Sequence, residues 1–273
     1  MSRTDTLSVE RRFEALLRDE AQATRRNALV VGAIALVVLV SMWETGLLDG
    51  RRLSEGVPAL WQLATEMFPP DFSRVGAYVG PLVDTAAMSI AGTALAVLFS
   101  LPLAFLAAKG TTPNKAVYHA ARTSLNVLRS VPELIMGIVF VAAVGFGTLP
   151  GVLALGLHSV GMVGKFFAEA IEHVDPKPIE AARAAGATEL QVIHRAILPQ
   201  VMPQMSDVTV YRWEYNFRAS TVMGMVGAGG IGFELMSSLR IMNYQEVFAI
   251  LLCILACVTL VDALGAVLRG RLK

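Results

Sequence analysis

The chain has 273 residues, of which 55% are hydrophobic and 16% charged, and its mean hydropathy is +0.58. That balance excludes an ordinary soluble domain, and sparse charges clustered between long apolar runs indicate a multi-span helical membrane protein. A formal net charge of +1 gives no basis for nucleic-acid binding.

Residues 1–27 alternate basic and acidic groups and carry Val9, Phe13, Leu16 and Leu17 at helical spacing. They predict a short amphipathic helix along the cytoplasmic membrane face. The first apolar run, Ala28 to Trp43, follows Arg25 and Arg26 and ends in an interfacial Trp. It lacks a small-residue cleavage site, so it is expected to remain as a span rather than leave as a signal peptide. Residues 28–81 thus hold this span and a polar external loop containing Pro58, Pro69 and Pro70, with an interfacial helix expected around Val57 to Met67.

Residues 82–273 hold the remaining spans. The second runs from Leu82 to Ala108 and is followed by Lys109, Lys115 and Arg122. Basic flanks here and at Arg25 and Arg26 place both segments in the cytoplasm. The third apolar run, Val131 to Phe146, is short and opens on Arg129-Ser130-Val131-Pro132-Glu133. Pro132 predicts a break or kink, and Arg129 and Glu133 have the spacing of a helical pair. Two readings stand for that pair, an ion pair at the membrane boundary or a part in gating. The fourth span, Leu149 to Ala170, carries Gly151, Gly156, Gly161 and Gly164, which suit close helix packing, and His158, read as a hydrogen-bonded packing residue.

Pro178 to Pro199 is a polar, Ala-rich helical stretch between apolar runs, expected to end at Pro199 and to bend at Gly186. The fifth span starts near Met202 and contains Arg212, Glu214, Asn216 and Arg218. Such groups are costly in a membrane unless they pair or face water, and i,i+4 spacing suggests the couples Glu214–Arg218 and Arg212–Asn216. After Ser220 and Thr221 the glycines Gly227, Gly229, Gly230 and Gly232 interrupt the helix. The last span, Val247 to Leu268, precedes Arg269, Arg271 and Lys273. The expected fold is therefore all-α, with about six transmembrane helices and both termini cytoplasmic.

Enzymatic signatures are missing from this pattern. Gly227, Gly229 and Gly232 fit GxGxxG, but a membrane helix precedes them where a dinucleotide fold needs a strand. They are expected either to break the helix beside a cavity, where their amides face an anion, or to form a tight packing bend. Gly164-Lys165 is followed by Phe166 and is no ATP-binding loop. Cys253 and Cys257, one turn apart, read as packing residues, and no metal set is expected.

The run Glu180-Ala181-Ala182, Arg183, Gly186, then Leu198-Pro199 resembles the EAA loop of ABC importer permeases, with Ala196 departing from its apolar slot. RWEYNFRASTVMGMVGAGGIG (Arg212 to Gly232) and RSVPE (Arg129 to Glu133) resemble segments of phosphonate importer permeases. The resemblance covers roughly Leu82 to Leu268. It implies a type I ABC importer permease in a bacterial inner membrane, paired with a second permease subunit. It also implies two ATPase subunits that carry ATP and Mg, and an extracytoplasmic phosphonate-binding protein. The chain itself would bind no cofactor. Residues 178–199 would be the cytoplasmic coupling helix, docking through Glu180, Ala181, Ala182, Arg183, Gly186, Leu198 and Pro199. Arg129, Glu133, Arg212, Glu214, Asn216, Arg218, Ser220, Thr221, Gly227, Gly229, Gly230 and Gly232 would line or gate the pathway, with Glu214 partly neutralising the arginines. A structural network between helices is the alternative role for the charges. Competing functions are a permease for methionine, phosphite or phosphate, and a polytopic enzyme acting on a lipid phosphate.

Overall fold

The computed structural model describes the backbone of residues 3–272 and the side chains of residue 20 and residues 23–271. Every regular element among the described residues is helical, and the chain divides into two compact units, Met1–Thr65 and Glu66–Lys273.

In the first unit, α1 (Arg3–Glu44) is one unbroken helix. The expected amphipathic segment and first span are therefore continuous, with no proline to part them. The stripe of Val9, Phe13, Leu16 and Leu17 lies outside the described side chains. Ala23–Glu44 is long and apolar enough to cross a membrane, and Leu29, Ile34, Leu36 and Val37 are all exposed on it. Only a lipid solvent makes such a surface stable. Next comes α2 (Gly50–Glu66). It starts earlier than the sequence predicts because Asp49 Oδ1 accepts the Arg51 and Arg52 amides at 3.1 and 3.3 Å.

The second unit opens with a 3-10 turn, Val75–Tyr78, that runs into α3 (Val79–Ala107). Asn114 then caps α4 (Lys115–Ser130), its Oδ1 accepting the Val117 amide at 2.9 Å. The sequence pattern marks only a basic cytoplasmic segment here. It folds because Ala121 and Leu125 bury themselves against α6 (Thr148–Glu172). Pro132 breaks the chain as expected, and α5 (Glu133–Val144) leaves α4 at 84°. That break separates Arg129 from Glu133, so the expected pair does not form. Arg129 is instead exposed.

The glycines of α6 allow the predicted close approach. A Cβ on Gly161 would lie 2.6 Å from the Leu125 carbonyl oxygen, and one on Gly156 would lie 2.5 Å from Leu95. The main core follows from this contact: Ala96, Leu125, Val160, Phe167, Ile197 and Met205 pack where α3, α4 and α6 meet the base of α9.

Beyond α6 the expected single helix is two: α7 (Pro176–Ala184) and α8 (Glu189–Val192). A π turn, Ile193–Ile197, then joins α8 to α9 (Leu198–Met223). Pro199 therefore does not end a helix. It sits in the first turn of α9, where its missing N–H costs nothing. A second π turn, Gly224–Ala228, closes α9, and Gly227, Gly229 and Gly230 all have positive φ (101°, 74° and 69°). After this break α10 (Ile231–Arg240) leaves at 58°, and α11 (Tyr244–Leu272) completes the chain. Among the described residues, four helices are long and apolar enough to cross a membrane, and the two bent pairs raise the count to six when each is one span.

Candidate coupling and translocation sites

The EAA-like segment is held at both ends. Asp175 Oδ1 accepts the Lys177 amide at 3.0 Å and starts α7, with Pro176 in the first turn. The Asp175 amide donates to Gln200 Oε1 at 3.0 Å, and Gln200 Nε2 donates to the Ala196 carbonyl at 2.6 Å. The start of α7 is thereby tied to the base of α9. Its end is a Schellman turn: the Gly186 amide donates to Arg183 O and the Ala187 amide to Ala182 O, with Gly186 at φ 80°. Past the turn, Thr188 and Gln191 form a capping box for α8.

Glu180, Ala181, Arg183, Gly186 and Pro199 are exposed, while Ala182 and Leu198 are half-buried against the core. The Arg183 guanidinium grips Glu189 with two hydrogen bonds of 3.2 and 2.9 Å. Those bonds hold it protonated, raising its pKa above the ordinary arginine value. Leu190, next to Glu189 in the chain, stands 79% exposed, an apolar surface residue that the sequence pattern did not mark.

Along α9, the charged residues find partners on other helices. Arg212, only 2% exposed, donates from Nε to Ser159 Oγ at 2.7 Å and lies 4.2 Å over the Tyr215 ring. Its Nη2 is 3.8 Å from Glu133 Oε2. Glu133 also accepts the Tyr215 hydroxyl at 2.7 Å and lies 3.1 Å from His158 Nε2. His158 Nδ1 meets the Val131 carbonyl at 3.1 Å, and a carbonyl only accepts. Nδ1 is therefore protonated, so the His158–Glu133 contact needs one further proton, on one partner or the other. Ser159 donates onward to Asn216 Oδ1 at 3.1 Å, and Asn216 Nδ2 donates to Thr93 Oγ1 at 2.9 Å. This chain of polar contacts joins α3, α5, α6 and α9.

Glu214 and Arg218 do not pair with each other. Arg269 Nη1 binds Glu214 Oε1 at 2.6 Å, and Arg218 Nη1 binds Asp262 Oδ1 at 2.8 Å, both on α11. The antiparallel packing of α9 and α11 sets this ladder, and Gly265 lets the Glu214 carboxylate lie against the α11 backbone. The expected neutralisation of Arg212 and Arg218 by Glu214 is thus replaced by Glu133 and Asp262.

Ser220 and Thr221 turn their hydroxyls to backbone carbonyls: Ser220 to Phe217 O and Thr85 O at 2.7 and 3.2 Å, Thr221 to Arg218 O at 2.7 Å. The glycine break is tightly held. Gly227 O accepts the Gly147 amide at 3.2 Å, Thr85 Oγ1 accepts the Ile231 amide at 3.0 Å, and a Cβ on Gly232 would overlap the Thr221 carbonyl.

A further cluster went unread in the sequence. Glu246, 2% exposed at the start of α11, receives Arg74 Nη1 at 2.8 Å, the Tyr78 hydroxyl at 3.0 Å and Asn243 Nδ2 at 2.9 Å. The Asp71 amide donates to Gln245 O at 3.1 Å, so the segment before α3 is clamped to α11. Hydrogen bonds from Ser73 hold the Asp71 carboxyl below its ordinary pKa.

Residues 100–273 match the family described as binding-protein-dependent transport system inner membrane component. The chain belongs to that family. It is 66% identical over 260 residues to the phosphite transport system permease protein PtxC of Stutzerimonas stutzeri, covering 95% of this chain and 94% of that one. It is 43% identical over 239 residues to the phosphate-import permease protein PhnE of Mycolicibacterium smegmatis, covering 85% of this chain and 43% of that one. Among solved structures, an inward-facing MetNI methionine ABC transporter chain aligns with a TM-score of 0.66 at 20% identity, over 74% of this chain and 99% of that one. The last likeness shows the fold alone, that of a type I ABC importer permease.

This permease is a multi-pass subunit of a bacterial inner membrane and a transport component, not an enzyme. The lipid-phosphate enzyme considered from the sequence is set aside on that ground. Thr93, Ser159, Tyr215, Asp262 and Arg269 join the polar network that the sequence traced through Glu133, Arg212, Glu214, Asn216 and Arg218. Thr93, Ser159 and Asp262 show in the sequence only as polar residues inside apolar runs, and Arg269 only as a basic flank, neither of which says which helix faces them.

Proposed function

We propose that this permease forms the membrane pathway of an ATP-driven importer for small phosphorus oxyanions in which a PO3 group carries hydrogen or carbon, namely phosphite and phosphonates. Its 66% identity to a phosphite permease over 95% of the chain carries this reading. The phosphate-import relative extends the class to phosphate. The working unit pairs this chain with a second permease, either a copy or a related chain. Two ATPase subunits bind ATP and Mg, and an extracytoplasmic binding protein delivers the anion.

Both termini and the α7 region are assigned to the cytoplasm by the basic flanks Arg25, Arg26, Lys109, Lys115, Arg122, Arg269 and Arg271. The exposed Glu180, Ala181, Arg183 and Gly186, with Leu198 and Pro199 at the base of α9, are the docking surface for the ATPase. Closure of the ATPase dimer on ATP draws the two docking helices together and turns the spans outward. Hydrolysis relaxes them inward. The rigid fastening of α7 to α9 through Asp175 and Gln200 supports this transmission.

Arg212 and Asn216, both enclosed and linked through Ser159, serve in this reading with the half-buried Glu133 to lock the spans in register. The glycine break at Gly227 to Gly232 is assigned to the pathway, since irregular backbone at membrane depth survives only inside protein or along a cavity.

The test is ATPase activity of the reconstituted complex with binding protein loaded in turn with phosphite, a phosphonate, phosphate or methionine. Stimulation by the PO3 anions supports the proposal. Stimulation by methionine alone removes the substrate class and leaves the importer.

A further inference from the structure

The arginines expected to line or gate the pathway are occupied: Arg212 is enclosed against Ser159 and Glu133, and Arg218 is bound to Asp262. Arg240, on α10, is a different case. Two breaks in the helical backbone meet at one cavity of about 300 Å3. One is the loop between α5 and α6, where Gly145 and Gly147 have φ of 89° and 130°. The other is the glycine break after α9, and the Gly147–Gly227 hydrogen bond joins them. Phe146, Met225 and Phe233 form the apolar part of the lining, with Gly227 at the break itself. The polar part is Ser237 and Arg240, one helical turn apart on α10.

Arg240 is exposed, and no acidic side chain lies within ion-pair distance of it among the described residues. The same cavity holds no carboxylate. Phe146, 85% exposed, lies against Gly227, where a Cβ would come within 2.7 Å of its ring. An aromatic ring at a backbone break, an unpaired guanidinium and a hydroxyl thus share one cavity whose volume is at the small end for ligand sites.

We infer that Arg240 and Ser237 form a binding site for an oxyanion on the external side of the permease, closed toward the break by Phe146. The argument for the site is the unpaired cation in a carboxylate-free cavity. The identity of its ligand and its external placement rest on the function proposed above. An arginine presents paired N–H donors to a PO3 group. The Ser237 hydroxyl donates its one proton to the Phe233 carbonyl at 2.8 Å, so it serves an anion only by rotating away from that bond. Arg240 also complements the C-terminal dipole of α10, a structural role that a charge-selective measurement separates from binding.

The experiment uses the whole reconstituted complex with Cys253 and Cys257 replaced by serine and Ser237→Cys as the reporter. Anionic and cationic methanethiosulfonate reagents of similar size are compared. The inference expects the anionic reagent to react several-fold faster, phosphite to slow it, and Arg240→Gln to erase the preference. Equal rates for both reagents, or a preference that survives Arg240→Gln, would overturn it. In parallel, Arg240→Gln in the otherwise unaltered complex is expected to lower uptake at least about tenfold at saturating binding protein. Arg240→Lys should retain most of it, and ATPase stimulation by the binding protein should persist in both. Normal uptake by Arg240→Gln, or loss of that stimulation, contradicts an anion site. The labelling preference reports the charge of the cavity whatever is transported, whereas phosphite uptake by the unaltered complex reports the proposed function. The two failures are therefore distinguishable.

Discussion

Arg212 stands enclosed in the membrane region with Ser159, Tyr215 and Glu133 around it, and its removal leaves the half-buried Glu133 with only Tyr215 and His158 as partners. Breaking a buried pair from one side costs about 3–5 kcal/mol, mostly for the charge left behind. Arg212→Ala is therefore expected to reduce folded complex in detergent sharply, whereas Arg212→Met combined with Glu133→Gln should recover most of it. Full assembly of Arg212→Ala with transport alone lost would instead place this arginine in the pathway. Gly265→Ala is a second test, because the added methyl overlaps the Glu214 carboxylate and pushes it from Arg269. Overpacking of this kind costs about 1–3 kcal/mol, seen as a lower unfolding temperature of the purified permease. Sequence reading found the charged residues of α9 but assigned their partners by i,i+4 spacing. Glu214 and Arg218 do share one face, yet that face is covered by α11, where Asp262 and Arg269 satisfy them. Spacing within one helix carries no information about its neighbour.

The coupling segment shows what spacing does capture in an element and what it leaves out. Pro178, Gly186 and the Ala-rich run point to a helix and a bend, and α7 with its Gly186 turn follows that pattern. The continuation from α8 through a π turn into α9 was illegible, because Pro199 reads as a stop unless the chain is known to start a helix there. Gly186 has open space around it but a φ of 80°, so Gly186→Ala is opposed by backbone strain of about 1–2 kcal/mol rather than by a clash. Gly186→Asp adds charge to the same strain and is expected to abolish coupled transport while membrane insertion stays intact, measured by uptake and by membrane-fraction abundance. Normal uptake would remove the docking assignment. A second fastening lies just before α7. Glu172 accepts the Lys109 amide at 3.0 Å and pairs with Arg122 at 2.9 Å, while Arg122 Nε donates to the Ala107 carbonyl at 2.9 Å. Glu172→Gln is expected to lower the transport accomplished per ATP hydrolysed while assembly persists, and an unchanged ratio would show that α3 and α4 receive their motion by another route.

Over the whole molecule, the apolar runs gave the helical class and the four long spans, because length and hydropathy mark what can cross a bilayer; the expected six is reached when each bent pair is one span. The 84° bend at Pro132 and the glycine break after α9 were also legible, since proline and glycine act locally. The helical character of Lys115–Ser130 was not, for its apolar positions become buried only through the glycine-rich face of α6. The proposed function is inward movement of a phosphorus oxyanion by such a bundle, driven by ATP on partner subunits. Its most direct test is accumulation of labelled phosphite in proteoliposomes that contain this permease, its ATPase and its binding protein. ATP-dependent accumulation against a gradient, lost without the binding protein, is the expected result. Failure to accumulate phosphite, a phosphonate or phosphate under conditions where another solute is accumulated would contradict it.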